Sequence, residues 1–212
     1  YQARQADLRE AAARPVLEGK SRRLQGQSAY VTRVEHEGGP PTVAKEYIRA
    51  DTPASGKRAA DAEELGAQVD DAVGLRAPTV IRTGPRSIEE NFLEGQSGEE
   101  ILPWPYTVTD ELIGSDDGRL IGLSDILVGE SDRNAGNFIR LEDGRLASID
   151  RGGAFQTPKL VGAKSPFAQT FAPEGKWAKS IDIAPADLAV IRARLEALRP
   201  EFERLGRATW HR

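Results

Sequence analysis

The sequence predicts an α+β chain of two lobes, a small antiparallel sheet lobe carrying one helix and then a mainly helical lobe. Three observations predict it. Residues 29–35, 42–48, 78–83 and 87–93 are short β-forming runs divided by turn residues, and a helix pattern at 58–73 separates the two pairs. Gly95, Gln96, Ser97 and Gly98 then break the pattern and mark a boundary, which gives lobes of 1–94 and 95–212. Beyond that boundary the strongest periodic segments, 119–128 and 185–205, are helical. A chain of 212 residues holds one sizeable core or two small ones, so the division is affordable in length.

In order, residues 3–13 combine strong helix formers with few apolar positions and read as a surface helix ended near Pro15. The runs 29–35 and 42–48 form a hairpin about the turn HEGGPP, and 51–57 read as a polar loop. In the helix 58–73, Leu65, Val69 and Val73 share a face, Glu63 and Glu64 lie near the middle, and Gly74 is a C-cap. At least one of the two glutamates is expected on solvated surface. Pro103-Trp104-Pro105 excludes regular structure, 109–112 open a helix, and Asp116-Asp117-Gly118 reads as a turn. The segment 119–128 is a buried helix with Leu120, Leu123 and Leu127 inward. Residues 137–141 and 145–149 form a second hairpin about Glu142-Asp143-Gly144. Residues 156–183 lack periodicity. The helix 185–205 turns Leu188, Ile191, Leu195 and Leu198 inward, with Pro200 as a kink or split.

Composition removes several function classes. A net charge of -4 argues against electrostatic binding of nucleic acid. Zero cysteines exclude disulfides, thiolate metal sites and cysteine nucleophiles. The two histidines, His36 in a turn and His211 next to the end, offer little for a triad or a zinc site. No run of about 18 apolar residues exists to span a membrane, and the charged first 15 residues have no apolar core of a signal peptide. A cytoplasmic location is therefore expected. The absence of methionine, even at position 1, points to a trimmed chain or a domain of a larger polypeptide.

The chemistry-bearing stretch is 129–155, GESDRNAGNFIRLEDGRLASIDRGGAF. It sets out Asp132, then Asn137 five positions on, then Asp150 after the hairpin. Two carboxylates and a carboxamide so placed suggest a divalent-metal phosphate site. One carboxylate would orient a hydroxyl nucleophile, and the other oxygens would hold the metal. Taken singly, Asp132 and Asn137 equally suit Asx turns, and Asp150 suits a strand-end cap. Upstream, Gly26, Gln27 and Ser28 are small or polar enough to let backbone N–H groups approach a phosphate, or to form a flexible loop. Lys45 sits within a strand, where its ammonium is a solvated charge or, in a cleft, a partner for phosphate oxygens. The Asp-rich turns also raise calcium binding, but neither supplies the 12-residue loop closed by a glutamate.

This order resembles the kinase signature set of Gly-rich loop, strand lysine, helix glutamate, Asp-x4-Asn and Asp-x-Gly. It is most similar to the atypical, phosphoinositide-kinase-like and HipA-like proteins. Their loop Asp-Arg-His-x-x-Asn stands here as Asp132-Arg133-Asn134-Ala135-Gly136-Asn137, and their Ile-Asp-x-Gly motif as Ile149-Asp150-Arg151-Gly152, with Phe155 beyond. Asn134 replaces the family's histidine, and Arg151 takes the place of an aromatic residue or histidine. The resemblance implies a two-lobed kinase-like fold with a reduced second lobe, and ATP and Mg2+ as cofactors. It implies Asp132 as catalytic base, Asn137 and Asp150 as magnesium ligands, and Lys45 on the phosphates with Glu63, ahead of Glu64, as its partner. It further implies that Gly26, Gln27 and Ser28 cradle phosphate, and that the backbone of Asn91, Phe92 and Leu93 faces adenine. The implied acceptor is a hydroxyl of a protein (Ser/Thr) or a small molecule. A lipid headgroup fits less well, because no basic amphipathic segment is visible. The alternative is a nucleotide-binding pseudokinase or a structural module of a larger polypeptide.

Overall fold

The computed structural model describes residues 1–24, 29–48, 53–130, 132–155, 165–168 and 185–204. The chain divides into two units, Tyr1–Ala67 with Pro78–Leu93, and Gln68–Ala77 with Glu94–Arg212. Among the described residues no helix is long and apolar enough to cross a membrane.

In the first unit, β-branched and aromatic residues build β2 (Tyr30–Val34) and β3 (Thr42–Glu46), and Ser87–Asn91 forms β5. With β1 (Arg22–Leu24) and β4 (Val80–Gly84) they make an antiparallel sheet of order β1-β2-β3-β5-β4. The periodicity gave no sign of β1, which has three residues, two of them exposed arginines. Helix α1 (Gln2–Ala12) buries Leu8 and Ala11 and packs on β4 and β5. Tyr1 Oη accepts from the Val80 amide at 3.0 Å, and Gln5 Nε2 donates to its carbonyl at 2.8 Å. Side chains thus occupy polar groups that an edge strand leaves open. The core gathers Ala29, Tyr47, Ala60, Ala67, Val80 and Ile88.

Helix α2 (Pro53–Val73) starts earlier than the expected 58. Proline suits a first helical position, because its missing N–H has no helical partner there anyway. Gly56, read as a loop residue, lies inside the helix where a Cβ would strike the Tyr47 carbonyl. Glu63 and Glu64 are both buried, against the expectation that at least one is solvated. The expected turn histidine, His36, is also buried, with Nε2 2.8 Å from Thr42 Oγ1.

The second unit holds a sheet of β6 (Gly95–Ser97), β7 (Phe138–Leu141) and β8 (Leu146–Ser148). The Gly95–Gly98 break is therefore half strand: β6 pairs with β7, and Gly98 opens the short α3 (Gly98–Ile101). Gly98 packs so closely on the Ala135 carbonyl and the Phe138 ring that no Cβ would fit. After α4 (Asp110–Gly114), the expected turn at 116–118 is instead the first turn of α5 (Asp116–Val128). Ser115 caps it, accepting from Gly118 N at 3.0 Å, and Asp116 and Asp117 lie at the positive end of the helix dipole. Gly129 closes it at φ 61°.

The most buried face of α5 is not the expected leucine face. Leu120, Leu123 and Leu127 are only partly buried, whereas Ile121, Ser124, Asp125 and Val128 are enclosed. Around Phe138 the core collects Val73, Leu75, Leu102, Leu112, Leu146 and Phe167, whose ring meets Phe138 edge-on at 5.4 Å. Near the C-terminus, α6 (Pro185–Ala197) and α7 (Arg199–Arg204) are split beside Pro200. Leu188, expected inward, is exposed. Phe138→Ala removes a fully buried ring and should cost about 3–5 kcal/mol, read as a lower denaturant midpoint.

Candidate functional site

Two constellations contain the candidate residues, one in each unit. In the first unit, β3 runs between β2 and β5, so Lys45 stands opposite Val31 on one side and Ile88 on the other. Its side chain is buried, and a buried ammonium needs compensating carboxylates. Nζ lies 2.8 Å from Glu63 Oε1 and 3.3 Å from Glu90 Oε1. Tyr47 Oη donates to the same Glu63 oxygen at 2.7 Å. Glu64 faces Arg82 instead, at 3.7 Å. Glu90 and Tyr47 were missed in the sequence, although Glu90 alternates onto the buried face of β5 and Tyr47, just past β3, follows Lys45 by two positions.

Of the three residues expected at adenine, two have engaged amides. Asn91 N donates to Thr79 O and Phe92 N to Pro41 O, each at 3.3 Å. Asn91 Oδ1 accepts from Thr79 N at 2.6 Å, and Arg33 covers the Phe92 ring at 4.2 Å. Leu93 is the last residue of this unit. Gly26, Gln27 and Ser28 lie outside the described residues.

In the second unit, hydrogen bonds tie Asn137 to Asp132 and to Ile149, the residue before Asp150. Asn137 ends the 3-10 turn Ala135–Asn137, and its carbonyl accepts from Ile149 N at 3.1 Å. Its Nδ2 donates to the Asp132 carbonyl, which leaves Oδ1 as the acceptor of that amide. Asp132 is exposed, and its amide donates to Glu130 Oε1 at 2.9 Å. Asn134 forms the Asx turn of this loop, accepting from Gly136 N at 2.8 Å. Asp150 is exposed and has φ 57°, a left-handed conformation that costs a non-glycine residue on the order of 1 kcal/mol.

These loops rest on buried charge. Asp125 Oδ1 accepts from Arg133 Nη2 at 2.9 Å and from Arg151 Nη1, while Ser165 Oγ donates to Oδ2 at 2.5 Å. Arg133 also donates to Ser148 Oγ at 3.0 Å, to Ile149 O at 3.2 Å and to Asn137 O. Arg151 reaches Asp70 in a fork, Nε to Oδ2 at 2.9 Å and Nη2 to Oδ1 at 2.5 Å, and Ser124 Oγ at 3.0 Å. Burial alone would raise the Asp125 carboxyl, but Arg133 and Arg151 outweigh it and hold the carboxyl below its ordinary value. Burial disfavours charge on Arg151, yet Asp70 and Asp125 keep it firmly protonated. Burial pushes the Glu130 carboxyl up despite the two arginines, and its Oε2 is buried without a hydrogen bond.

Asp70, Asp125, Glu130 and Arg133 were missed in the sequence. The available signal was an aspartate on each buried helical face, Asp70 beside Val69 and Val73, and Asp125 between Ile121 and Val128.

For a divalent cation the candidate donors are the Asp150 carboxylate and the Asn137 side-chain Oδ1, both hard oxygen ligands. Among the described residues no cluster of three or more His, Asp or Glu side chains forms a complete protein cage. A site of one carboxylate and one carboxamide fits magnesium, which keeps waters and takes ligands from phosphates.

No protein-family model and no curated protein sequence matches the chain. Among solved structures, macrolide 2'-phosphotransferase MphH from Brachybacterium faecium superposes at a TM-score of 0.52 with 15% identity, over 93% of this chain and 83% of that one. The Rio2 kinase of Chaetomium thermophilum, with ADP, Mg2+ and phosphoaspartate, gives 0.49 and 15% over 98% of this chain and 74% of its own. Rv3197 of Mycobacterium tuberculosis, in complex with erythromycin, gives 0.41 and 15% over 72% and 55%. The fold is kinase-like, with an antiparallel sheet lobe and a helical part; the MphH match is the one that carries this.

Asp125→Asn should cost about 3–5 kcal/mol in chemical denaturation, because two guanidiniums lose their shared anion. The Asp125 carboxyl is lower in the folded chain than its ordinary 3.8, so its stabilisation is complete above that pH and is lost as pH falls through the lower folded value. The contribution that Asp125 itself makes to the gap between wild type and variant should therefore shrink as pH falls below the ordinary 3.8.

Proposed function

We propose that the chain is a phosphotransferase that binds ATP with Mg2+ and moves the γ-phosphoryl group to a hydroxyl. The observation that supports this reading most is the second-unit backbone, where the Ile149 amide, one residue before Asp150, bonds the Asn137 carbonyl while Asn137 Nδ2 holds the loop of Asp132. The kinase-like fold supports it, as does a buried strand lysine flanked by Glu63 and Glu90.

In this reading residues 1–94 serve as the lobe that handles the nucleotide, and 95–212 as the lobe that handles metal and acceptor. Lys45, oriented by Glu63, contacts the α/β-phosphates, and the Gly26-Gln27-Ser28 segment approaches them through its backbone. Because the Asn91 and Phe92 amides are engaged, adenine is met by Leu93 and by backbone carbonyls of this segment. Asn137 and Asp150 hold Mg2+, which when bound neutralises charge on the phosphate oxygens. Asp132 orients the acceptor hydroxyl and takes its proton. The acceptor oxygen bonds to the γ-phosphorus as the bond to the β,γ-bridging oxygen breaks, and ADP leaves. Most of the catalytic effect would come from positioning and charge neutralisation, which these residues can supply.

The acceptor is a protein Ser/Thr or a small hydroxylated molecule. The likeness to a macrolide 2'-phosphotransferase favours the small molecule. The motif order of 132–137 and 149–155 favours a place beside the phosphoinositide-kinase-like and HipA-like proteins.

Asp132→Ala should abolish transfer from radiolabelled ATP while the thermal shift given by ATP and Mg2+ survives. Turnover that persists would remove Asp132 from the base role. Binding without transfer in the wild type would instead identify a nucleotide-binding pseudokinase, and neither would identify a structural module.

A further inference from the structure

We infer that Arg151 is a positioning residue for the proposed metal pair. By anchoring the chain just after Asp150, it holds that residue in its left-handed conformation and sets how tightly Asn137 and Asp150 take a divalent cation. This rests on the phosphotransfer reading above.

The starting point is the backbone of Asp150, at φ 57° without being glycine. Such a residue relaxes to an ordinary conformation unless its surroundings over-determine it. Both neighbours are tied. Before it, Ile149 donates its amide to Asn137 O at 3.1 Å and accepts at its carbonyl from Arg133 at 3.2 Å. After it, the Arg151 carbonyl accepts from Ala154 N at 2.9 Å, and the side chain is 2% exposed.

That side chain is fixed at every nitrogen, by Asp70 and Ser124 and by Asp125. A planar fork held at three points leaves its own Cα little freedom, and therefore little to the residue bonded to it. The two anchors differ in kind. The first is the backbone of the proposed metal loop itself, whereas the second is a side chain on neither proposed ligand, so it can be removed alone. Metal sites depend on such supports for ligand geometry.

The test uses the full chain and Mn2+ as probe, with free Mn2+ followed by electron paramagnetic resonance. Asp70→Leu/Arg151→Met removes both charges together, a change that buried pairs commonly tolerate. Because Asp125 loses one of its two guanidiniums, the melting midpoint without Mn2+ should fall, and at a temperature well below that midpoint we expect Mn2+ affinity to fall roughly tenfold or more. Arg151→Lys keeps the charge but not the fork and should weaken Mn2+ in the same direction, which covers the case of a double variant that does not fold. Asp150→Asn marks the level of a disabled site. Folded variants that bind Mn2+ as tightly as the wild type would overturn the positioning role alone. A wild type that binds no better than Asp150→Asn would overturn this inference together with the metal role in the phosphotransfer reading.

Discussion

A carboxylate buried away from water costs several kcal/mol unless fixed charges surround it, and Asp125 is such a group. Its two arginines are its only full compensation among the described partners, and each arginine is also committed elsewhere. Arg133 serves Ser148, Ile149 and Asn137, while Arg151 serves Asp70 and Ser124. One anion thereby fixes the end of α5, the 132–137 loop, the end of β8 and the last turns of α2 in one arrangement. Such a cluster cannot be dismantled one member at a time, because each removal leaves another charge buried without its partner.

The first unit solves a smaller version of the same problem. Lys45 is a cation inside a sheet, and Glu63 and Glu90 with Tyr47 make that position tolerable. Apolar residues at these positions would give a sheet that folds at least as well, since buried ion pairs often yield nothing net to stability. Retaining them is easier to understand if the charges are used than if they serve only the core. Lys45 sits on a central strand and Glu63, Asp70 and Asp125 on the two long helices, whereas Arg133 and Arg151 reach their partners from loops.

Much of this was readable in the sequence because it depends on short-range rules. The β-runs about HEGGPP and Glu142-Asp143-Gly144, the helix ended by Gly74 and the break near Pro200 all follow from local propensity and turn chemistry. The order Lys45, Glu63, Asp132, Asn137, Asp150 was drawn from resemblance to the kinase signature set rather than from local rules. What escaped was long-range. Asp116-Asp117-Gly118 has turn composition, and only the Ser115 cap and the Arg145 contact to Asp117 make it a helix start. The leucine face of α5 lost to a face carrying Ser124 and Asp125, because Arg133 and Arg151, both outside the helix, make that polar face the better one to bury. Arg151 and Asn134 looked like departures from a family motif; in the fold one is an anchor and the other an Asx turn.

Counting charge around Asp125 adds one consequence. Asp70, Asp125 and Glu130 face two guanidiniums, so the cluster is electroneutral only if one carboxyl keeps its proton. Burial raises the Glu130 carboxyl above its ordinary 4.5, and its Oε2 lacks a hydrogen bond. Folding near and somewhat above that pH therefore takes up a proton from solvent. The stabilisation linked to it is complete below the ordinary value and drains away as pH rises through the folded one, opposite in sign to that of Asp125. The two ends of one buried cluster thus pull the stability of this unit in contrary directions along the pH axis.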